Sequence, residues 1–187
     1  FNKMTFGLAD TLTLGLFSAI GKALGGLFGT KTTVKASGLY GGSQKLGDIL
    51  SEGFNLQEYV DIQTKKKVAG VTTSKKNKTK YSKADAELSN QFTLIFKGFY
   101  DTILSATDIL GADLSTVETN LENAVVKIGK INLKGLSGEE IQEKLEAVFG
   151  AAADSLAKQA FGGLEDFQSV GEGYYETLVK VASAVEE

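Results

Sequence analysis

The chain has 187 residues, of which 42% are hydrophobic, enough for a packed core, and a formal net charge of -3. It contains no His, Cys, Pro or Trp, and all 20 of its basic residues are Lys. Those absences exclude a Ser-His-Asp triad, a cysteine nucleophile, thiolate or imidazole zinc sites and a disulfide framework, and they remove the bidentate arginine fork for phosphate or carboxylate.

The small net charge conceals a division along the chain. Residues 1 to 83 carry 13 Lys against 5 acids, a balance of +8, whereas residues 84 to 187 carry 7 Lys against 18 acids, a balance of -11. Such asymmetry signals two surfaces with different partners, or two halves that attract each other. The chain opens on Phe1 rather than Met, which reads as a piece of a longer polypeptide.

The first element, residues 1 to 29, reads as a glycine-rich apolar helix. Gly21, Gly25 and Gly29 recur every fourth position within Leu12 to Gly29, where Lys22 is the only charge. One face of such a helix has almost no side chains, so another backbone can approach closely. Leu16, Phe17, Ile20, Leu24 and Phe28 form the bulky stripe opposite. Eighteen helical residues span roughly 27 Å, close to the ~30 Å core of a bilayer. Lys22 lies beside Ser18 on the small-residue face, which suits a helix bundle or a water-lined assembly. A packed helix with a glycine contact face and a membrane-active helix both remain open. A secretory signal is disfavoured, since Asp10 stands where a basic start belongs.

Residues 30 to 83 read as a strand-rich segment with a lysine-rich loop. Thr30 to Tyr40 favours a strand, Gly41 and Gly42 a turn, and Asn55 to Thr64 a second strand. Lys65 to Lys83 holds eight Lys in nineteen residues among many Thr, Ser and Asn, and reads as an exposed hairpin tip or loop. Lys65, Lys66, Lys67, Lys75, Lys76, Lys78 and Lys80 make it a basic contact loop. Only Tyr81 is nearby to stack a base, so specific nucleic-acid recognition is not expected. A solvated loop that docks on acidic protein surface fits the composition better.

Residues 84 to 187 read as a helical domain with one further strand. Leu88, Phe92, Ile95, Phe96, Phe99, Ile103 and Leu110 predict a long helix over Ala84 to Leu110, closed by Gly111. Asn123 to Leu133 alternates as a strand, with Gly129 as a bulge. Ser137 and Glu140 spell a capping box ahead of a helix that runs to about Phe161, where Gly162 and Gly163 end it. A last helix is expected over Gly173 to Val185, with Tyr175, Leu178, Val179 and Ala182 inward. The fold class expected is therefore α+β, predominantly helical.

The stretch IGKINLKGLSGEEIQEKLEAVFGAAADSLAKQAFGGLEDFQSVGEGYYETLVKVA, Ile128 to Ala182, resembles the C-terminal region of tail tape measure proteins of long-tailed, siphovirus-type bacteriophages. FGLADTLTLGLFSAIGKALGGLFGTKTTV and QFTLIFKGFYDTILSATDILG look like the same family in the same order. The likeness is one of whole segments and least marked over Lys65 to Lys83. It implies a virion structural protein, located in the tail lumen and at the tail tip, with the full-length chain setting tail length and helping DNA ejection through the host envelope. It further implies a homotrimer, distal tail and tail hub proteins and the tail tube interior as partners, and contact with the host membrane on ejection. The alternative is a membrane-active, envelope-penetrating module independent of tail assembly. An enzymatic role has only Glu139, Glu140, Glu143 and Glu146 to draw on, and a solvated helix face explains them. No catalytic residue, metal or cofactor is expected.

Overall fold

The computed structural model describes residues 31–68 and 71–186. The expected glycine helix, with Gly21, Gly25, Gly29, Leu16, Phe17, Ile20, Leu24 and Phe28, lies outside the described residues. The described residues form an α+β fold with more helix than strand. Strands β1 (Lys31–Lys45), β2 (Gln57–Val68), β3 (Val71–Lys83) and β4 (Val125–Asn132) make one antiparallel sheet in the order β3-β2-β1-β4. Helices α1 (Leu46–Glu52), α2 (Ala86–Ile109), α3 (Leu114–Asn123), α4 (Gly138–Ala160) and α5 (Tyr174–Glu186) share one core with the β1 and β4 half of it.

The two long helices form for the reasons their sequences give. The α2 face made by Leu88, Phe92, Ile95, Phe96, Phe99 and Ile103 is buried, and Asp85 caps its start by accepting from the Glu87 N–H. Helix α4 opens on the expected capping box: the Ser137 hydroxyl accepts from the Glu140 N–H while a Glu140 carboxylate oxygen accepts from the Ser137 N–H at 2.7 Å. Ring contacts bind the layers, with Phe92 and Phe149 centroids 4.9 Å apart and Phe54 stacked on Phe96 at 5.3 Å. Helix α5 buries Tyr174, Leu178 and Ala182, with Tyr175 and Val179 half-buried. The Tyr174 hydroxyl accepts from the Leu164 N–H, which gives this inward ring its polar partner.

One core joins both parts of the chain. Leu39 of β1 and Leu46 and Ile49 of α1 share a cluster with Val126, Ile128 and Ile131 of β4 and with the buried faces of α2 to α5. Strand β4 hydrogen-bonds β1, which draws residues 125–132 into the same sheet as residues 31–83.

Three local expectations are corrected. Gly41 and Gly42 make no turn; β1 runs through them to Lys45, because Gly42 takes φ +66° and β4 pairs on both sides of it. Of the two readings of the lysine-rich segment, the hairpin holds and the loop does not: Lys65 to Val68 end β2 and Val71 to Lys83 form β3, paired along their length. The backbone groups of β3 that face β2 are satisfied by the ladder, although few of its side chains are apolar. Gly129 shifts no register, yet inward and outward alternation slips there, so that Gly129 and Lys130 are both outward. The short helices α1 and α3 were not expected.

Candidate functional site

The hairpin of β2 and β3 stands apart from the helical layer. Among the described residues no helix packs broadly on either strand, and Val60 and Ile62 form a small separate cluster with Val34. The register divides the lysines between its two faces. Lys76, Lys78 and Lys80 lie opposite Thr64, Ile62 and Val60 and share one face of β3. Same-face neighbours on a strand are about 7 Å apart, so these three form a regular basic row. Lys65 and Lys75 lie opposite each other on the other face, a like-charge pairing that costs stability. Lys66 and Lys67 belong to β2, where their backbones pair with Ser74 and Thr72. Lys75, Lys76 and Lys78 are exposed. Lysines along β3, an edge strand, also oppose edge-to-edge association of identical sheets.

On the face that carries Lys75, the sheet builds a polar and aromatic cluster that the sequence reading missed. Tyr40 of β1, Tyr59 and Asp61 of β2, Thr79 and Tyr81 of β3 and Lys130 of β4 converge there. Lys130 Nζ lies 2.9 Å from Asp61 Oδ1 and 3.1 Å from Thr79 Oγ1, and 4.9 Å from the centre of the Tyr59 ring. The Tyr40 and Tyr81 centroids are 5.3 Å apart at 49°. Tyr59 is only 2% exposed, whereas Tyr81 is 49% exposed.

Burial raises the Tyr59 phenol pKa, and the nearby Asp61 charge adds to the rise. Burial also acts to raise Asp61, but hydrogen bonds from Thr79 and Lys130 and the Lys130 charge outweigh it, so its carboxyl stays below the ordinary value. Lys130 is raised chiefly by its hydrogen bond to Asp61. Both partners are thus charged at neutral pH and tied to one another. The signal that was available is that each of the first three strands carries a tyrosine: Tyr40 and Tyr59 fall in the two expected strands, whereas Tyr81 falls in the segment expected as a hairpin tip or loop, so its register with them could not be read.

The acids of α4 are dispersed. Glu140 holds the cap, Glu146 accepts from the Gln142 side chain at 3.0 Å, and Glu139 and Glu143 are exposed. Among the described residues no group of three or more acids is placed to hold a metal ion, and no helix is long and apolar enough to cross a membrane. The described residues thus present a basic hairpin, an aromatic cluster and two strand edges. No known protein family, curated protein or solved structure matches the chain.

Proposed function

We propose that this chain is the C-terminal part of a tail tape measure protein of a long-tailed bacteriophage. It is then a virion structural protein that plugs the tail tip, while the full-length polypeptide sets tail length and helps DNA ejection through the host envelope. The observation that carries this reading is the ordered resemblance of three segments, of which the longest, Ile128 to Ala182, runs through β4, α4 and most of α5. An outward-projecting basic hairpin and sheet edges open to pairing suit a protein whose work is contact with other proteins. Its partners are then further copies of itself in a trimer, the distal tail and hub proteins, the tube interior and, on ejection, the host membrane. The test is protein identification in purified tails with antibody labelling at the tip; recovery solely as free protein contradicts the reading.

The row of Lys76, Lys78 and Lys80 favours one further reading, a membrane-active module in which the hairpin meets anionic lipid. Flotation with phosphatidylserine vesicles tests it. Binding lost on changing all three to Glu supports it, and an absence of bound protein contradicts it.

A further inference from the structure

Among the described residues strand β4 ends the sheet opposite β3, and one side of its backbone has no strand neighbour. A groove of about 650 Å³ runs along that side, between β4 and α4. Seven consecutive residues of β4, Val125 to Ile131, line it. Inward and outward side chains contribute alike, which only the edge of a strand offers. The opposite wall is the small-residue side of α4, where Ala151, Ala152 and Ser155 leave room beside Val148.

Two details mark how far an added chain can reach. The Val125 N–H is already taken by Gln159 Oε1 at 3.1 Å, which closes one end of the edge. Gly129, midway along, has nothing among the described residues within 4 Å of where a side chain would begin. A glycine inside a strand, facing open space, permits close approach of another backbone.

The charge of the groove selects the occupant. Its charged lining residues are Lys127 and Lys130; the Lys130 ammonium is paired with Asp61, so Lys127 is the charge that faces an occupant, and no carboxylate lines the groove among the described residues. Lys144 and Lys158 stand seven residues to either side of Ala151, two helical turns away and so on the same side of α4, and both are exposed. A second copy would present an edge of the same sign, either β4 with Lys127 or β3 with Lys75, Lys76 and Lys78. Neither complements the groove.

We propose that the β4 edge takes an acidic, extended peptide segment of a partner protein as a fifth strand. Main-chain hydrogen bonds to residues 127–131 supply the pairing. Small apolar side chains of the peptide alternate onto Val148 and Ala152, and its carboxylates alternate toward Lys127 and the flanking lysines of α4. This inference rests on the groove alone and is independent of the tail reading.

The experiment uses the full 187-residue chain, labelled with nitrogen-15. It is titrated with a capped heptapeptide alternating Val and Glu, and with the same peptide carrying Lys for Glu. Amide shifts centred on residues 127–131 and preference for the acidic peptide are expected. Lys127→Glu, an exposed position, should weaken binding by about fivefold, the size of one surface charge pair. Ala151→Phe, which fills the groove, should abolish it. Equal binding of both peptides, shifts that map to β3 instead, or no shift at millimolar peptide would overturn the proposal.

Discussion

Lys130 reaches across β1 to Asp61 on β2, placing its ammonium 2.9 Å from a carboxylate oxygen two strands away. The slip in alternation at Gly129 makes this reach available, since strict alternation from the buried Val126 and Ile128 would turn residue 130 toward the core. The side chains are 35% and 31% exposed, so the pair contributes only about 0.5–1 kcal/mol. Asp61 is depressed, so its share is present above the ordinary carboxylate range and is lost as pH falls through its lowered value. Lys130 is raised, so its share persists up to the ordinary lysine range and is lost as pH climbs through its raised value. Asp61→Asn should therefore lower stability at pH 7 by that amount and have a smaller effect at pH 2, as read by urea unfolding.

Gly38 and Gly129 should respond differently to alanine. A Cβ on Gly38 would sit 1.8 Å from the Ile131 carbonyl oxygen, so β1 and β4 would have to separate, whereas Gly129 faces open space. Gly38→Ala should cost at least about 3 kcal/mol or prevent folding, and Gly129→Ala less than about 1 kcal/mol. Thermal unfolding of the two variants checks the contrast.

The α4 cap is acid-labile. Hydrogen bonding to the Ser137 backbone holds Glu140 below its ordinary pKa, so the support it gives is present above the ordinary glutamate range and fades as pH falls through the depressed value. Ser137→Ala should cost about 1 kcal/mol at pH 7. Circular dichroism melts measure it.

Two hydroxyls, the half-buried Thr93 and the buried Ser37, differ in sign. Thr93 Oγ1 accepts from the Phe54 N–H at 2.8 Å and donates to the Ser89 carbonyl, tying the approach to β2 onto α2. Thr93→Val strands that N–H and should destabilise by about 1–3 kcal/mol. The Ser37 hydroxyl is buried with no hydrogen-bond partner among the described residues, so Ser37→Ala should stabilise by about 1 kcal/mol. Denaturant midpoints of the two variants should move in opposite directions.

What was legible in the sequence is what burial writes there. Helices α2 and α4 bury long stripes, and their caps are local, so Phe92, Phe149 and the Ser137 box could be read directly. Helices α1 and α3 bury only Leu46 and Ile49, and Val117 and Leu121, too few positions to establish a period. Strand β3 contributes little to either core cluster; its pairing with β2 is a long-range fact that VTTSKKNKTKYSK does not encode by itself. The convergence of Tyr40, Tyr59 and Tyr81 depends on that same register. The β4 groove depends on sheet order, which alternation cannot give.

Cross-linking mass spectrometry on intact purified tails tests the tail-tip reading most directly, through the exposed Lys75, Lys76, Lys78, Lys127 and Lys158. The expected result is links between copies and to distal tail and hub proteins. Absence of the chain from tails, or links confined to tube subunits far from the tip, would contradict it.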